Sequence, residues 1–179
     1  MKVIHKNHKG LTLVELLVAL AIFGVISGAT NAVIIQMTQS SRTSAHMVAI
    51  RQAQSAAYRV NCDALQAQDV NVSNVSGSGG FPLRLNWTTW DAGETHQITY
   101  NLVNCSADLC ELQRNEIISG GSPLTTIVGQ YIYRGSEPPR QTSCKWSTAD
   151  KVLTLNITTM VGQEVEERTY KIKPRPYVG

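Results

Sequence analysis

Two sets of residues in the 179-residue sequence have the chemical character of functional groups. The first is Glu15, the only charged residue in the otherwise apolar segment 11–35. An acid inside an apolar span costs about 2.5–3.5 kcal/mol on insertion scales, so its presence points to a function and to a partner. The second set is the four cysteines, whose even number is typical of disulfides in an oxidising compartment: Cys62, Cys105, Cys110 and Cys144.

Catalytic and metal-binding patterns are not supported by the sequence. His96 is the only histidine in the C-terminal two thirds, and no CxxC pair accompanies it. Glu164, Glu166 and Glu167 lack the ligand spacing of a calcium loop. Nucleophile-elbow, zinc-protease and phosphate-loop motifs do not occur. We therefore expect no catalytic residues, no metal site and no cofactor.

The net charge of +3 belongs to the first ten residues, which contain three lysines and no acid. The remaining 13 basic residues balance 13 acidic ones. This balance argues against a nucleic-acid binder that neutralises many phosphates with one basic surface. Lys171, Lys173 and Arg175 form a small basic edge, and DNA as a partner has no support beyond them.

The apolar segment 11–35 is long enough to cross a membrane as a helix. Lysines precede it and Arg42 is the only cation in residues 36–50, so the positive-inside rule places residues 1–10 in the cytoplasm. Three interpretations are open: a plain single-pass anchor, a secretory signal cut near Ser27-Gly28-Ala29, or a span in which Glu15 has a partner. A cut after Gly10 would create that partner, because the new amine of Leu11 would lie four residues from Glu15 on one helix face.

The run from Lys9 to Ile22 (KGLTLVELLVALAI) resembles the class III signal of type IV pilins and type II secretion pseudopilins. The resemblance implies cleavage after Gly10 by a prepilin peptidase, N-methylation of Leu11 and a role for Glu15 in filament assembly. Lys9 belongs to the same processing site. The implied partners are other pilin or pseudopilin subunits, contacted through the N-terminal helix, the membrane assembly machinery, and inner-membrane lipid before assembly. The implied location is the inner membrane with the head outside, then a periplasmic or cell-surface filament.

Two departures from the family pattern favour a minor subunit. Leu11 stands where the family usually has phenylalanine, and Ala32 stands where major pilins commonly have proline. The choice between a type IV pilus and a secretion pseudopilus stays open, as does the filament's role in adhesion, motility, DNA uptake or secretion. The alternative from another class is a secreted or anchored, disulfide-stapled binding module with an ordinary signal peptide.

The expected fold is α+β, with a long N-terminal helix packed on an antiparallel β-sheet head, as in type IV pilins. Residues 11–35 form the membrane or filament-core part of the helix, and residues 36–67 form its amphipathic half, with a stripe of small apolar side chains. The head comprises residues 68–179, with a loop over Asn71–Gly80. Alternating patterns predict strands at 83–88, 97–102, 153–159 and 165–173, and a β-branched, tyrosine-rich composition predicts another at 124–134.

The four cysteines allow three pairings. Cys105 and Cys110 bracket four residues between strand-like runs, so a hairpin loop would bring them together. Cys62 and Cys144 would then pair by elimination and tie the late head to the helix. His46 is expected to be an exposed histidine on the helix.

Overall fold

The computed structural model describes residues 12–75, 77, 79–135 and 140–175. The chain divides into two compact units, Met1–Thr43 and Ser44–Gly179. One helix, α1 (Leu13–Gln66), contributes to both. The 1–10 leader lies outside the described residues.

In the first unit, α1 carries large apolar side chains that are exposed, among them Leu13, Phe23 and Val25. By length and composition this part of the helix could cross a membrane. The hydroxyl groups of Thr30 and Thr38 are satisfied within the helix, since they donate to the carbonyls of Ile26 and Ile34 at 2.8 and 2.9 Å. Such internal pairing is what an apolar environment requires of a polar side chain.

In the second unit, α1 buries a narrow face made mainly of alanine. Small side chains let the helix backbone approach the sheet closely, and a Cβ at Gly129 of the sheet would lie 2.8 Å from the Cβ of Ala56. The predicted stripe of small residues is confirmed in part: Val48, which the same spacing placed on the stripe, is exposed, and Ala45 is half-buried. The buried small residues are Ala49, Ala53, Ala56, Ala57, Val60 and Ala64.

The head sheet has eight strands that pair only in antiparallel fashion among the described residues. Their order is β1-β2-β3-β4-β5-β7-β6, and β8 pairs with β7. The strands are β1 (Asp69–Val72), β2 (Leu83–Thr88), β3 (Thr95–Ser106), β4 (Leu109–Ile118), β5 (Leu124–Tyr133), β6 (Ser143–Ser147), β7 (Val152–Val161) and β8 (Glu164–Ile172).

The core lies between the concave face of this curled sheet and the alanine face of α1. Strand residues alternate between the two faces, so Leu83, Leu85 and Trp87 of β2 point inward while Arg84 and Thr88 point outward. The β7–β8 hairpin turns at Gly162, whose φ of 62° suits a residue without a Cβ. The largest fully buried side chain of the described sheet is Tyr100.

The observed architecture is the expected α+β arrangement of a long N-terminal helix and an antiparallel sheet. The helix ends at Gln66, one residue earlier than expected. The loop predicted over Asn71–Gly80 is wrong at its start, because Asn71 and Val72 pair with Arg84 and Leu83. Strands β1 and β6 were not predicted, since segments of four and five residues carry too little alternation to be recognised.

Candidate functional site

The first turn of α1 is closed by a reciprocal hydrogen-bond pair between Thr12 and Glu15. The Thr12 amide and hydroxyl both donate to Glu15 Oε2, at 2.9 and 3.0 Å. The Glu15 amide donates back to Thr12 Oγ1 at 3.3 Å, and the Leu16 amide donates to the Thr12 carbonyl at 3.2 Å. This is a capping box, in which Thr12 is the N-cap and Glu15 the third helical residue.

The capping box gives Glu15 a partner in the uncut chain. Sequence reasoning missed Thr12 in this role, although the spacing Thr-x-x-Glu before an apolar run is the recognisable signal for it. Lys9, Gly10 and Leu11, the predicted processing residues, lie outside the described residues. Pairing of Glu15 with an amine at Leu11 therefore stays a prediction.

Comparison with known proteins bears on the same end of the chain. Residues 5–31 match the family model described as the prokaryotic N-terminal methylation motif. This motif is the hallmark of type IV pilins and pseudopilins. The chain carries a class III prepilin signal. No curated protein and no solved structure matches the chain significantly.

The prepilin signal and the fold agree with each other. A single long helix followed by an antiparallel, curled sheet is the type IV pilin-like architecture. The motif implies processing by a prepilin peptidase and assembly with other pilin subunits. The apolar helix near the N-terminus fits a membrane anchor.

Cys105 and Cys110 form a disulfide, with their Cα atoms 4.1 Å apart. The loop between them is tighter than expected. Ser106, the last residue of β3, pairs with Leu109, the first residue of β4, which leaves a two-residue turn at Ala107 and Asp108. The disulfide therefore links β3 and β4 covalently at the turn of their hairpin.

The expected Cys62–Cys144 disulfide is wrong, because both residues are free thiols. Cys144 lies on β6 in the head core, where its Sγ donates to the Gly80 carbonyl at 3.0 Å. Cys62 is half-buried on α1. Elimination failed here because an even cysteine count says nothing about where two thiols lie in the fold. Burial raises the pKa of the Cys144 thiol to about 12.

A buried ionic cluster, which the sequence did not reveal, joins α1 to the middle of the sheet. Arg114 of β4 donates from Nε to Asp63 Oδ2 at 2.6 Å and from Nη2 to Oδ1 at 3.3 Å. The Tyr100 hydroxyl of β3 donates to Asp63 Oδ2 at 2.5 Å. Asp63 is 4% exposed and Arg114 is 3% exposed. Burial and the adjacent Asp63 carboxylate raise the pKa of Tyr100, which keeps it a neutral donor.

The cluster continues outward along the sheet. Arg114 Nη1 donates to Glu116 Oε2 at 2.7 Å, and His96 Nδ1 lies 3.3 Å from Glu116 Oε1. The His96 ring stacks on Trp87, with centroids 5.1 Å apart. The hydrogen bond from Arg114 holds the pKa of the Glu116 carboxyl below its usual value, against the opposing effect of burial. Burial opposes the charge of Arg114, but the hydrogen bonds that Arg114 donates to Glu116 and Asp63 outweigh this effect and raise the Arg114 pKa.

The part of the chain that the structure describes contains no group of three metal-ligating side chains. His46 is half-buried, and its Nδ1 is buried without a hydrogen-bond partner, so the expectation of an exposed histidine is corrected. Two polar clusters of the described chain bear on its architecture, the Thr12–Glu15 cap and the Asp63–Arg114 cluster. The first belongs to the prepilin signal, and the second fixes the helix to the sheet.

Proposed function

We propose that this chain is a minor pilin or pseudopilin subunit. A prepilin peptidase cuts between Gly10 and Leu11, the new amine is methylated, and α1 then packs into a filament with other subunits. The observation that carries the proposal is the methylation motif at residues 5–31, joined to one apolar helix and an antiparallel head.

The chemistry of Glu15 supports the assembly step. Before cleavage its carboxylate accepts two hydrogen bonds from Thr12. A carboxylate has about four acceptor positions, so Glu15 keeps capacity for an ammonium group. After cleavage the amine of Leu11, or that of a neighbouring subunit, supplies the opposite charge. Pairing of this kind lowers the cost of keeping an acid in an apolar span.

The minor role follows from the sequence of α1 and from the head. The described helix contains no proline, and Ala32 occupies the position at which major subunits commonly have one. The described head has eight strands, and long connections follow β1 and β5, at 73–82 and 134–142. An elaborate head suits a subunit present in few copies better than one repeated along a shaft.

Mass spectrometry of the mature N-terminus tests the proposal. The chain is expressed with its own assembly system, and the membrane and filament fractions are digested separately. The expected N-terminal peptide begins with N-methyl-leucine from Leu11. An uncut Met1 terminus, or a terminus at Thr30, would overturn the proposal and favour an anchored or secreted binding module.

A second experiment separates processing from assembly. We expect Glu15→Gln to be cut normally and to disappear from sheared filaments, because its amide cannot neutralise an ammonium group. Gln36→Ala, a polar-to-small change on the same helix, is the matched control and should enter filaments at the level of the unaltered chain. Normal incorporation of Glu15→Gln contradicts the assembly role of the Glu15 charge without contradicting cleavage.

A further inference from the structure

A cleft runs along one side of the head, between β1 and β6. These strands are the two ends of the strand order, and neither pairs with another described strand on its outer edge. Two cavities of about 850 and 500 Å³ lie along the cleft and share the side chain of Trp146. Both volumes fall within the range of about 300–1,000 Å³ that is usual for ligand sites.

The smaller cavity concentrates positive charge. Lys151, Lys173 and Arg175 line it together with Asp69. No described carboxylate lies within ion-pair distance of these three cations, whereas Arg114, Arg140 and Arg168 each pair with a glutamate or aspartate. Unpaired cations that converge on a concavity raise the local concentration of anions.

Lys151 occupies a backbone position that its residue type does not favour. Its φ of 54° lies in the left-handed region, where glycine or asparagine fits the turn between β6 and β7 at a lower cost. A residue held in this region costs about 1–3 kcal/mol, and such residues concentrate at ligand-binding sites. Glycine would adopt this φ at a lower cost, so Lys151→Gly removes the lysine side chain without straining the turn.

The other lining groups narrow the class of anion. Asp69 accepts a hydrogen bond from Asn86 Nδ2 at 3.3 Å and has further acceptor positions for hydroxyl donors. Trp146 is half-buried, packs against the core and adds an apolar ring surface to the wall. Only three cations line the cavity, so they would neutralise few phosphates of a nucleic acid.

We propose that the cleft at Trp146 binds an acidic oligosaccharide. The sugar carboxylates lie against Lys151, Lys173 and Arg175, the hydroxyls donate to Asp69, and one ring lies against Trp146. This site is separate from the helix surface that would enter a filament. Failure of the filament proposal leaves this one unaffected, since binding is measured on the unassembled full-length chain.

Titration calorimetry on the full-length protein in neutral detergent micelles tests the proposal. The ligand probe is a galacturonate trimer, and the neutral galactose trimer is the ligand control. We expect binding of the acidic trimer only, weakened about tenfold or more between 50 and 500 mM salt, because salt screens exposed charges. Lys151→Gly should weaken binding at least about fivefold while leaving the thermal midpoint equal or higher, because the strained turn relaxes.

The matched control is Lys171→Gln, which removes an exposed cation of β8 that does not line the cavity. It should leave the affinity unchanged. A second lining variant, Lys173→Gln, should weaken binding as Lys151→Gly does. Absence of binding at about 10 mM trimer, a concentration at which a millimolar dissociation constant would be detected, overturns the proposal. Equal weakening of binding by Lys171→Gln overturns it as well. Tighter binding of a thymidine oligonucleotide or a glutamate octapeptide also overturns it.

Discussion

Arg114 donates to both carboxylate oxygens of Asp63, across 51 residues of sequence, in the middle of the buried helix–sheet boundary. The alanine face of α1 is smooth and carries no large side chain to set its position along the sheet. The two bonds from one guanidinium help to fix the position and rotation of the helix, because a planar fork fits a carboxylate in one geometry. Tyr100 donates to the same carboxylate and secures its orientation. The Thr159 hydroxyl, which donates to the Ala49 carbonyl, and the Gln130 amide, which donates to Gln52 Oε1, hold the same helix.

We predict that Asp63→Ala lowers the free energy of unfolding by about 3–5 kcal/mol. The substitution leaves the Arg114 guanidinium buried with one carboxylate partner fewer, and it also removes the acceptor of Tyr100. Urea unfolding in detergent, followed by tryptophan fluorescence, measures the change. Because Trp87 stacks on His96 near the cluster, its emission reports on this region.

The control for Asp63→Ala is Arg168→Gln. Arg168 pairs with Glu166 at 2.7 Å, but its side chain is 39% exposed. An exposed pair contributes about 0–1 kcal/mol, so this variant should unfold near the midpoint of the unaltered protein. If Arg168→Gln lowered the free energy of unfolding as much as Asp63→Ala does, burial of the Asp63–Arg114 cluster would not explain the effect of Asp63→Ala.

The loss of thermal stability at acidic pH depends on the Glu116 carboxyl. Its folded pKa lies below the ordinary value of 4.5, chiefly because Arg114 donates to it. A depressed carboxyl pKa adds stability that is present above the unfolded pKa and is lost as the pH falls through the folded one. We predict that Glu116→Gln makes the loss of thermal stability between about pH 5 and pH 3 shallower.

Glu167→Gln is the control for this pH dependence. Glu167 is 38% exposed and lies 3.4 Å from Arg140, so the aqueous solvent screens the pair. Its profile of thermal midpoint against pH should follow that of the unaltered protein. Identical profiles for Glu116→Gln and the unaltered protein would contradict the assignment of acid sensitivity to Glu116.

Most of the architecture could be predicted from the sequence because its signals are local. The apolar run, Glu15 and the preceding glycine lie within a few residues of each other, and they predict both the helix and the processing motif. The alternation of Leu83, Leu85 and Trp87 likewise predicts β2 and the face it buries. Such patterns need no knowledge of which distant segments meet.

The parts that sequence reasoning missed depend on distant contacts. Asp63 and Arg114 look like ordinary surface charges until the fold places them together. Strand β1 is recognisable only through its register with β2. The Cys62–Cys144 pairing failed for the same reason, since the order of cysteines in the chain does not determine whether their sulfur atoms meet.

The cysteines differ in accessibility, and alkylation can measure this. We predict that a thiol reagent at pH 8 labels Cys62 in the native protein and labels Cys144 only after unfolding. Cys62 is half-buried on α1, whereas Cys144 is in the core with a pKa raised to about 12. Non-reducing peptide mapping should find Cys105 linked to Cys110. A peptide joining Cys62 to Cys144 would contradict the structure directly.

Close helix–sheet packing makes Gly129 sensitive to a single added methyl group. A Cβ at this position would lie 2.8 Å from Ala56 Cβ and 3.2 Å from Ile132 Cδ1. We predict that Gly129→Ala lowers the free energy of unfolding by about 1–3 kcal/mol, as overpacking does in close-packed cores. Gly24→Ala is the control, because a Cβ added at Gly24 meets nothing within 4 Å. Gly93→Ala is unsuitable as a control because the φ of Gly93 is positive.

Denaturant unfolding of the head measures this effect, and a compensating variant tests its cause. Gly129→Ala combined with Ala56→Gly should recover most of the lost stability, less about 1 kcal/mol for a glycine within a helix. If the double variant is no more stable than Gly129→Ala alone, contact with Ala56 is not the source of the loss.

The capping box predicts different roles for the two polar groups of Thr12. Thr12→Val keeps the shape of the side chain and the amide bond to Glu15 but removes both hydrogen bonds of the hydroxyl. We expect the first turn of α1 to lose about 0.5–2 kcal/mol of local stability. Hydrogen exchange in micelles should then be several-fold faster at the amides of Glu15 and Leu16. Thr12→Ser retains the hydroxyl and should exchange as the unaltered chain does. Slow exchange in Thr12→Val would mean that the Thr12 amide alone holds Glu15, and that the hydroxyl contributes nothing to the start of the helix.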